Sequence, residues 1–83
     1  MYVTISKKWE ERSGVYKYPR LRDLREDRDL SQKYIADLIG TTQQYYSEYE
    51  RGVREIPLHV FIQLAQFYAV SLDYLAGLKN TKD

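Results

Sequence analysis

The stretch Gln32-Lys-Tyr-Ile-Ala-Asp-Leu-Ile-Gly40-Thr-Thr-Gln-Gln-Tyr-Tyr-Ser-Glu-Tyr-Glu-Arg-Gly52 decides how this chain folds. Ile35, Ala36 and Ile39 recur at helical spacing, and Ser31 stands in front as a cap for the first free N–H groups. Gly40 then ends the helix, because glycine takes a left-handed backbone without steric cost. Thr42 is positioned to cap a second helix running to about Glu50 or Arg51, which Gly52 ends in turn. Two short helices joined by a tight turn are therefore expected.

The second helix has two unlike sides. Tyr46, Tyr49 and Glu50 stand at i, i+3, i+4 and share one side. Gln44, Ser47, Glu48 and Arg51 share the opposite side, with Gln43 at the helix start beside Ser47. One side is largely aromatic and suited to packing. The other carries hydrogen-bonding side chains at fixed intervals.

Upstream, Pro19 fits the first turn of a helix, where its missing N–H costs nothing. That helix is expected to reach about Arg28, with Leu21, Leu24 and Arg25 on one face. Residues 1–18 form an extension of different character. Tyr2-Val3-Thr4-Ile5 and Val15-Tyr16-Lys17-Tyr18 read either as two short strands or as a loosely ordered arm, and Trp9 suggests docking.

Downstream, Gly52 to Ile56 reads as a loop, and Pro57 as a second first-turn proline. The helix from about Pro57 to Tyr68 is apolar around most of its circumference. Leu58, Phe61, Ile62, Ala65 and Tyr68 are expected to face the core. Val60, Leu64 and Phe67 extend that face sideways, as core or as part of a dimer patch. His59, Gln63 and Gln66 form the polar stripe. Ser71 caps a short last helix, about Leu72 to Ala76, with Leu72 and Leu75 inward and Gly77 ending it. Tyr34, Tyr68 and Tyr74 read as core rim. Residues 79–83 form a tail, expected to fray from Asn80.

Eighty-three residues make one small domain, here residues 19–78 between the extension and the tail. The absence of cysteine excludes a disulfide framework and thiolate metal sites. No apolar run approaches the ~18 residues of a membrane span, so a soluble, cytoplasmic protein without membrane attachment is expected. The formal net charge of +1 neither supports nor excludes nucleic acid. His59 is the single histidine and lacks a second ligand at i+4. No triad or glycine-rich phosphate loop is present. Neither an enzyme nor a cofactor is expected.

The outward side of the second central helix suits a DNA major groove, which admits an α-helix. Glutamine can bond adenine bidentately, and glutamate can accept from the cytosine amine while repelling phosphate. Tyr45 lies near that side, able to pack on a thymine methyl or bond a phosphate. Gln32 opens its helix, where side chain and backbone N–H can grip a phosphate.

The segment from Leu21 to Leu78 resembles the helix-turn-helix family of the lambdoid phage repressors and Cro. The residues carrying the resemblance are Arg25, Leu30-Ser31-Gln32, Ile35-Ala36, Gly40, Glu50-Arg51-Gly52, Leu64-Ala65 and Val70-Ser71-Leu72-Asp73-Tyr74-Leu75. The stretch Gly40-Thr-Thr-Gln-Gln also resembles the start of a recognition helix in that family. The resemblance implies an all-α, five-helix, lambda-repressor-like DNA-binding domain with an N-terminal extension.

It further implies roles. Gln43 and Gln44 match base-reading glutamines, and Ser47, Glu48 and Tyr45 join them on the reading side. Glu48 stands where a third reading glutamine is found in the family, so operator preference should differ there. Gln32 and Arg51 match phosphate contacts, to which Thr42 and Arg54 are added. Arg25 and Glu50 match a buried ion pair between the first and third helices.

Two features depart from the pattern. Aliphatic residues are usual where Tyr46 and Tyr49 stand, and their hydroxyls need partners if buried. The extension has no counterpart in the core pattern. Lys7, Lys8, Arg12 and Lys17 suit a DNA-wrapping basic arm, a dimer-forming strand is equally compatible, and so is a vestigial segment. The expectation is a duplex-DNA-binding homodimer of bacterial or phage origin, acting at the nucleoid. It would regulate transcription by repression through promoter occlusion. The alternative is an antitoxin or adaptor that uses the same fold to bind a protein through the fourth helix and the extension.

Overall fold

The computed structural model describes residues 16–83. Their regular structure is entirely helical: α1 (Pro19–Asp27), α2 (Gln32–Ile39), α3 (Gln43–Arg51), α4 (Leu58–Tyr68) and α5 (Leu72–Ala76). Of the strand expected at Val15–Tyr18, the described part is a turn at Tyr16 followed by irregular chain, not strand. The readings placed on Tyr2–Ile5, Trp9, Lys7, Lys8 and Arg12 lie outside the described residues.

Local chemistry sets most helix ends. The side-chain oxygens of Ser31, Thr42 and Ser71 accept from the backbone N–H of Tyr34, Tyr45 and Tyr74 at 3.0, 3.1 and 3.0 Å. Each satisfies one of the donors that a helix start leaves free. Gly40 closes α2 at φ 78° and Gly52 closes α3 at φ 77°. Ala69 closes α4 in the same left-handed region at φ 58°, without the freedom of glycine. Pro57 is the residue before α4, not its first turn. Its backbone is extended, and its carbonyl accepts from the N–H of Val60 and Phe61.

The core draws on all five helices: Leu21 and Leu24, Ile35 and Ala36, Tyr46 and Tyr49, then Val60, Phe61, Leu64, Ala65 and Tyr68, and finally Leu75. Burying a large apolar side chain contributes roughly 1.5–3 kcal/mol, so this cluster is the main source of stability. The most extensive helix contact is between α2 and α3, where the small Ala36 is buried.

Several side chains face otherwise than their spacing suggests. Val60 and Leu64 are core, and Leu64 is fully buried, because the packed stripe of α4 is centred there. Leu58 lies at the margin of that stripe, about 120° round the helix from Leu64, and is 67% exposed. As the first residue of α4 it stands at the edge of the bundle. There it lines a cavity of about 300 Å³ with Tyr18, Glu55, Ile56, Phe61 and Ala76. Ile62 is only half-buried. Leu72 is exposed, since the single turn of α5 buries only Leu75. Tyr68 is core instead of rim, while Tyr34 is half exposed and rests against Phe67.

The tail, expected to fray, makes contacts with the domain. The N–H of Ser71 donates to the Lys82 carbonyl at 2.7 Å. The Arg20 guanidinium donates to the carbonyls of Tyr74 and Lys79 and to Asn80 Oδ1, and stacks on the Tyr74 ring at 3.9 Å. One arginine of α1 thus ties down both α5 and the chain beyond it. Among the described residues no helix is long and apolar enough to cross a membrane.

Candidate nucleic-acid interface

The inward side of α3 is locked. Tyr46, Tyr49 and Glu50 are all buried. Arg25 Nε donates to Glu50 Oε2 at 2.6 Å and Arg25 Nη2 donates to Glu50 Oε1 at 3.1 Å, a two-pronged pairing. Arg25 Nη1 also donates to the Leu30 carbonyl at 2.8 Å, fixing the chain that enters α2. Gln32 Nε2 donates to Glu50 Oε1 at 3.0 Å. A single carboxylate therefore joins α1, α2 and α3.

Burial alone pushes the Glu50 carboxyl up, but the Arg25 hydrogen bonds, aided by Tyr46 and Gln32, hold it below the ordinary carboxylate value. The Tyr46 and Tyr68 hydroxyls are buried, and neither makes a hydrogen bond of ordinary geometry among the described residues. Tyr46 nevertheless lies close enough to Glu50 to favour its ionised form. Burial pushes the Tyr46 hydroxyl far up and the Tyr68 hydroxyl up to about 12.

The outward side is open. Gln43, Gln44, Tyr45 and Arg51 are exposed, and Ser47 and Glu48 are half-buried beside them. Arg51 Nε reaches Ser47 Oγ at 3.5 Å, one turn back. Thr42 is exposed at the helix start, its hydroxyl oxygen engaged in the cap. Gln32 opens α2 and is half-buried, with one amide hydrogen committed to Glu50 and the other without a partner among the described residues.

Arg54 occupies a place that spacing does not suggest. It follows the left-handed turn at Gly52 and folds back on α3. Its Nε donates to Glu48 Oε1 at 2.7 Å, and its Nη1 donates to the Tyr45 hydroxyl at 3.2 Å. Its guanidinium carbon lies 4.1 Å from the Tyr45 ring centroid, and the Tyr45 ring meets the buried Tyr49 edge-on at 6.0 Å. The Arg54 hydrogen bond holds the Glu48 carboxyl below its ordinary value.

The other unexpected contact is made by the chain leading into α1. Tyr16 N–H donates to the Gly52 carbonyl at 3.1 Å. A methyl group built on Gly52 would lie 2.6 Å from Lys17 Cβ and 2.8 Å from its backbone. Gly52 is therefore required twice, for its left-handed backbone and for the chain that crosses it. A glycine after a helix signals the first requirement; nothing in the sequence signals the second.

Comparison with known proteins places this geometry. Residues 21–75 match the family model described as helix-turn-helix. A Bacillus subtilis protein named as the uncharacterized HTH-type transcriptional regulator YobD is 38% identical over 64 residues, covering 77% of this chain and 57% of that protein. The cryptic phage CTXphi transcriptional repressor RstR of Vibrio cholerae is 37% identical over 62 residues, covering 75% of this chain and 56% of that protein. The HTH-type transcriptional regulator AnsR of Bacillus subtilis is 35% identical over 63 residues, covering 76% of this chain and 54% of that protein. The chain spans about half the length of these curated relatives. No solved structure was matched. With α2 and α3 as the paired helices, the chain belongs to the XRE-type helix-turn-helix family.

Proposed function

We propose that the protein regulates transcription by binding duplex DNA at a specific sequence, with α3 in the major groove. The observation that carries this reading is the division of α3. Tyr46, Tyr49 and Glu50 anchor it, while Gln43, Gln44, Tyr45 and Arg51 stand exposed and Ser47 and Glu48 lie beside them. Gln43 and Gln44 read base edges, Ser47 and Glu48 extend the reading, and Tyr45 positions it. Gln32 and Arg51 bond phosphates on either side, helped by the start of α3 at Thr42. Phosphate contacts fix register and base contacts specify sequence, so both sets are needed.

The protein acts as a homodimer in the cytoplasm, setting two copies of α3 into successive major grooves roughly 34 Å apart. Repression by promoter occlusion is favoured by the likeness to RstR, which is named a transcriptional repressor.

Selection of bound duplexes from a random pool tests the reading. Wild type should enrich one sequence with two-fold character. The double variant Gln43→Ala, Gln44→Ala should lose that enrichment. Selection of no sequence by wild type, or of the same sequence with equal affinity by the variant, would overturn it.

A further inference from the structure

We propose that Arg54 is a positioning residue, setting the sequence preference of α3 through Glu48 and Tyr45 instead of gripping a phosphate on its own. This rests on α3 being the DNA-reading helix. An unaccompanied carboxylate on that side would repel the phosphate backbone. Here Glu48 has its charge matched by Arg54 at 2.7 Å, on an arginine whose other arm reaches the Tyr45 hydroxyl. Gln44 also lies close enough to favour the ionised carboxylate, and Glu48 Oε2 makes no hydrogen bond of ordinary geometry among the described residues, which lets it accept from a base amine, the role glutamate takes at cytosine.

The arrangement is braced from both sides. The guanidinium lies over the Tyr45 ring, and that ring abuts Tyr49 in the core. Glu48 retains only 18% of its side-chain exposure and Arg54 retains 42%. The acid is thus the more enclosed partner, and the arginine covers it. Among the described residues Arg51, by contrast, makes a single long contact, to Ser47, which leaves its charge available to a phosphate. The two arginines at the end of α3 therefore have different tasks.

The test is a double-mutant cycle on binding to the sequence selected for each background. Arg54→Ala in the wild-type background should weaken binding about tenfold, within the coupling seen between residues of one ion-pair network. It should also shift the preferred base opposite Glu48. In the Glu48→Gln background, where no charge needs matching, the same change should cost less than about twofold. Thermal melting of each variant confirms folding, and Arg54→Lys separates charge from geometry by restoring affinity without the original base preference.

Equal losses in both backgrounds, unchanged base preference and a salt slope reduced by about 1 would make Arg54 a phosphate contact and overturn the proposal. If wild type selects no sequence at all, the DNA-reading role of α3 fails and this proposal fails with it. If wild type selects and the cycle shows no coupling, only the assignment of Arg54 fails.

Discussion

Arg25 and Glu50 meet through two hydrogen bonds, at 2.6 and 3.1 Å, across the joint between α1 and α3. Both side chains are largely enclosed, at 12% and 3% exposure. Removing one partner leaves the other charge buried alone. Arg25→Ala or Glu50→Ala should therefore cost about 3–5 kcal/mol, measured by urea denaturation. The Gln32 amide loses its partner with Glu50, so Glu50→Ala should also weaken DNA binding in the fraction that stays folded. A cost below about 1 kcal/mol would show that the pair does not hold α3 in place.

The same pair gives stability a pH dependence of defined sign. Glu50 is held below its ordinary value of 4.5 in the folded protein. Its contribution is present above that value and is lost as pH falls through the lower folded value. Glu50→Gln should be less stable than wild type at neutral pH. The gap should narrow under acid conditions, because wild type then loses what the variant never had. Chemical denaturation at several pH values below neutrality checks this. A constant gap down to pH 3 would contradict it.

Gly40 and Gly52 have almost the same backbone angles but different surroundings. Among the described residues nothing lies within 4 Å of a methyl group placed at Gly40, while one at Gly52 meets Lys17. Gly40→Ala should cost about 1–2 kcal/mol, the penalty of the left-handed conformation alone. Gly52→Ala should cost more, because the backbone of Lys17 must also move. Equal melting temperatures for the two variants would show that the entering chain gives way freely.

Ala69 occupies the left-handed position after α4 with a side chain that disfavours it, and it is exposed. Ala69→Gly should stabilise the protein by about 0.5–1 kcal/mol, with part of the gain offset by the flexibility of glycine when unfolded. The change lies away from α3, so DNA binding should not alter. A lowered melting temperature would argue against the strain.

Features whose causes are local were legible in the sequence. Ser31, Thr42 and Ser71 announce helix starts because each acts on an N–H three residues away. The inward side of α3 followed from helical spacing alone. What depends on distant chain was not legible. Arg54 reaches Glu48 only because a left-handed residue between them reverses the chain. Arg20 holds residues more than fifty positions away. Lys17 crosses Gly52 without any pattern to mark it. Leu58 and Leu72 misled because angle tells which side a residue faces, not whether a neighbour is there to cover it. The expected phosphate role of Arg54 rested on its charge and on its place after the helix, and its partners give reason to assign it differently.

The separation of the two sides of α3 has a consequence for how such a protein can change. Its boundaries are set by Thr42 and Gly52, and its seat in the domain by Tyr46, Tyr49 and Glu50. Substitutions at exposed positions away from such features usually alter stability by no more than about 0.5 kcal/mol. Gln43, Gln44 and Arg51 can therefore be exchanged almost without reference to folding. Glu48 is the exception. It accepts from Arg54, which in turn donates to Tyr45, so a change at any one of the three alters the surroundings of the other two.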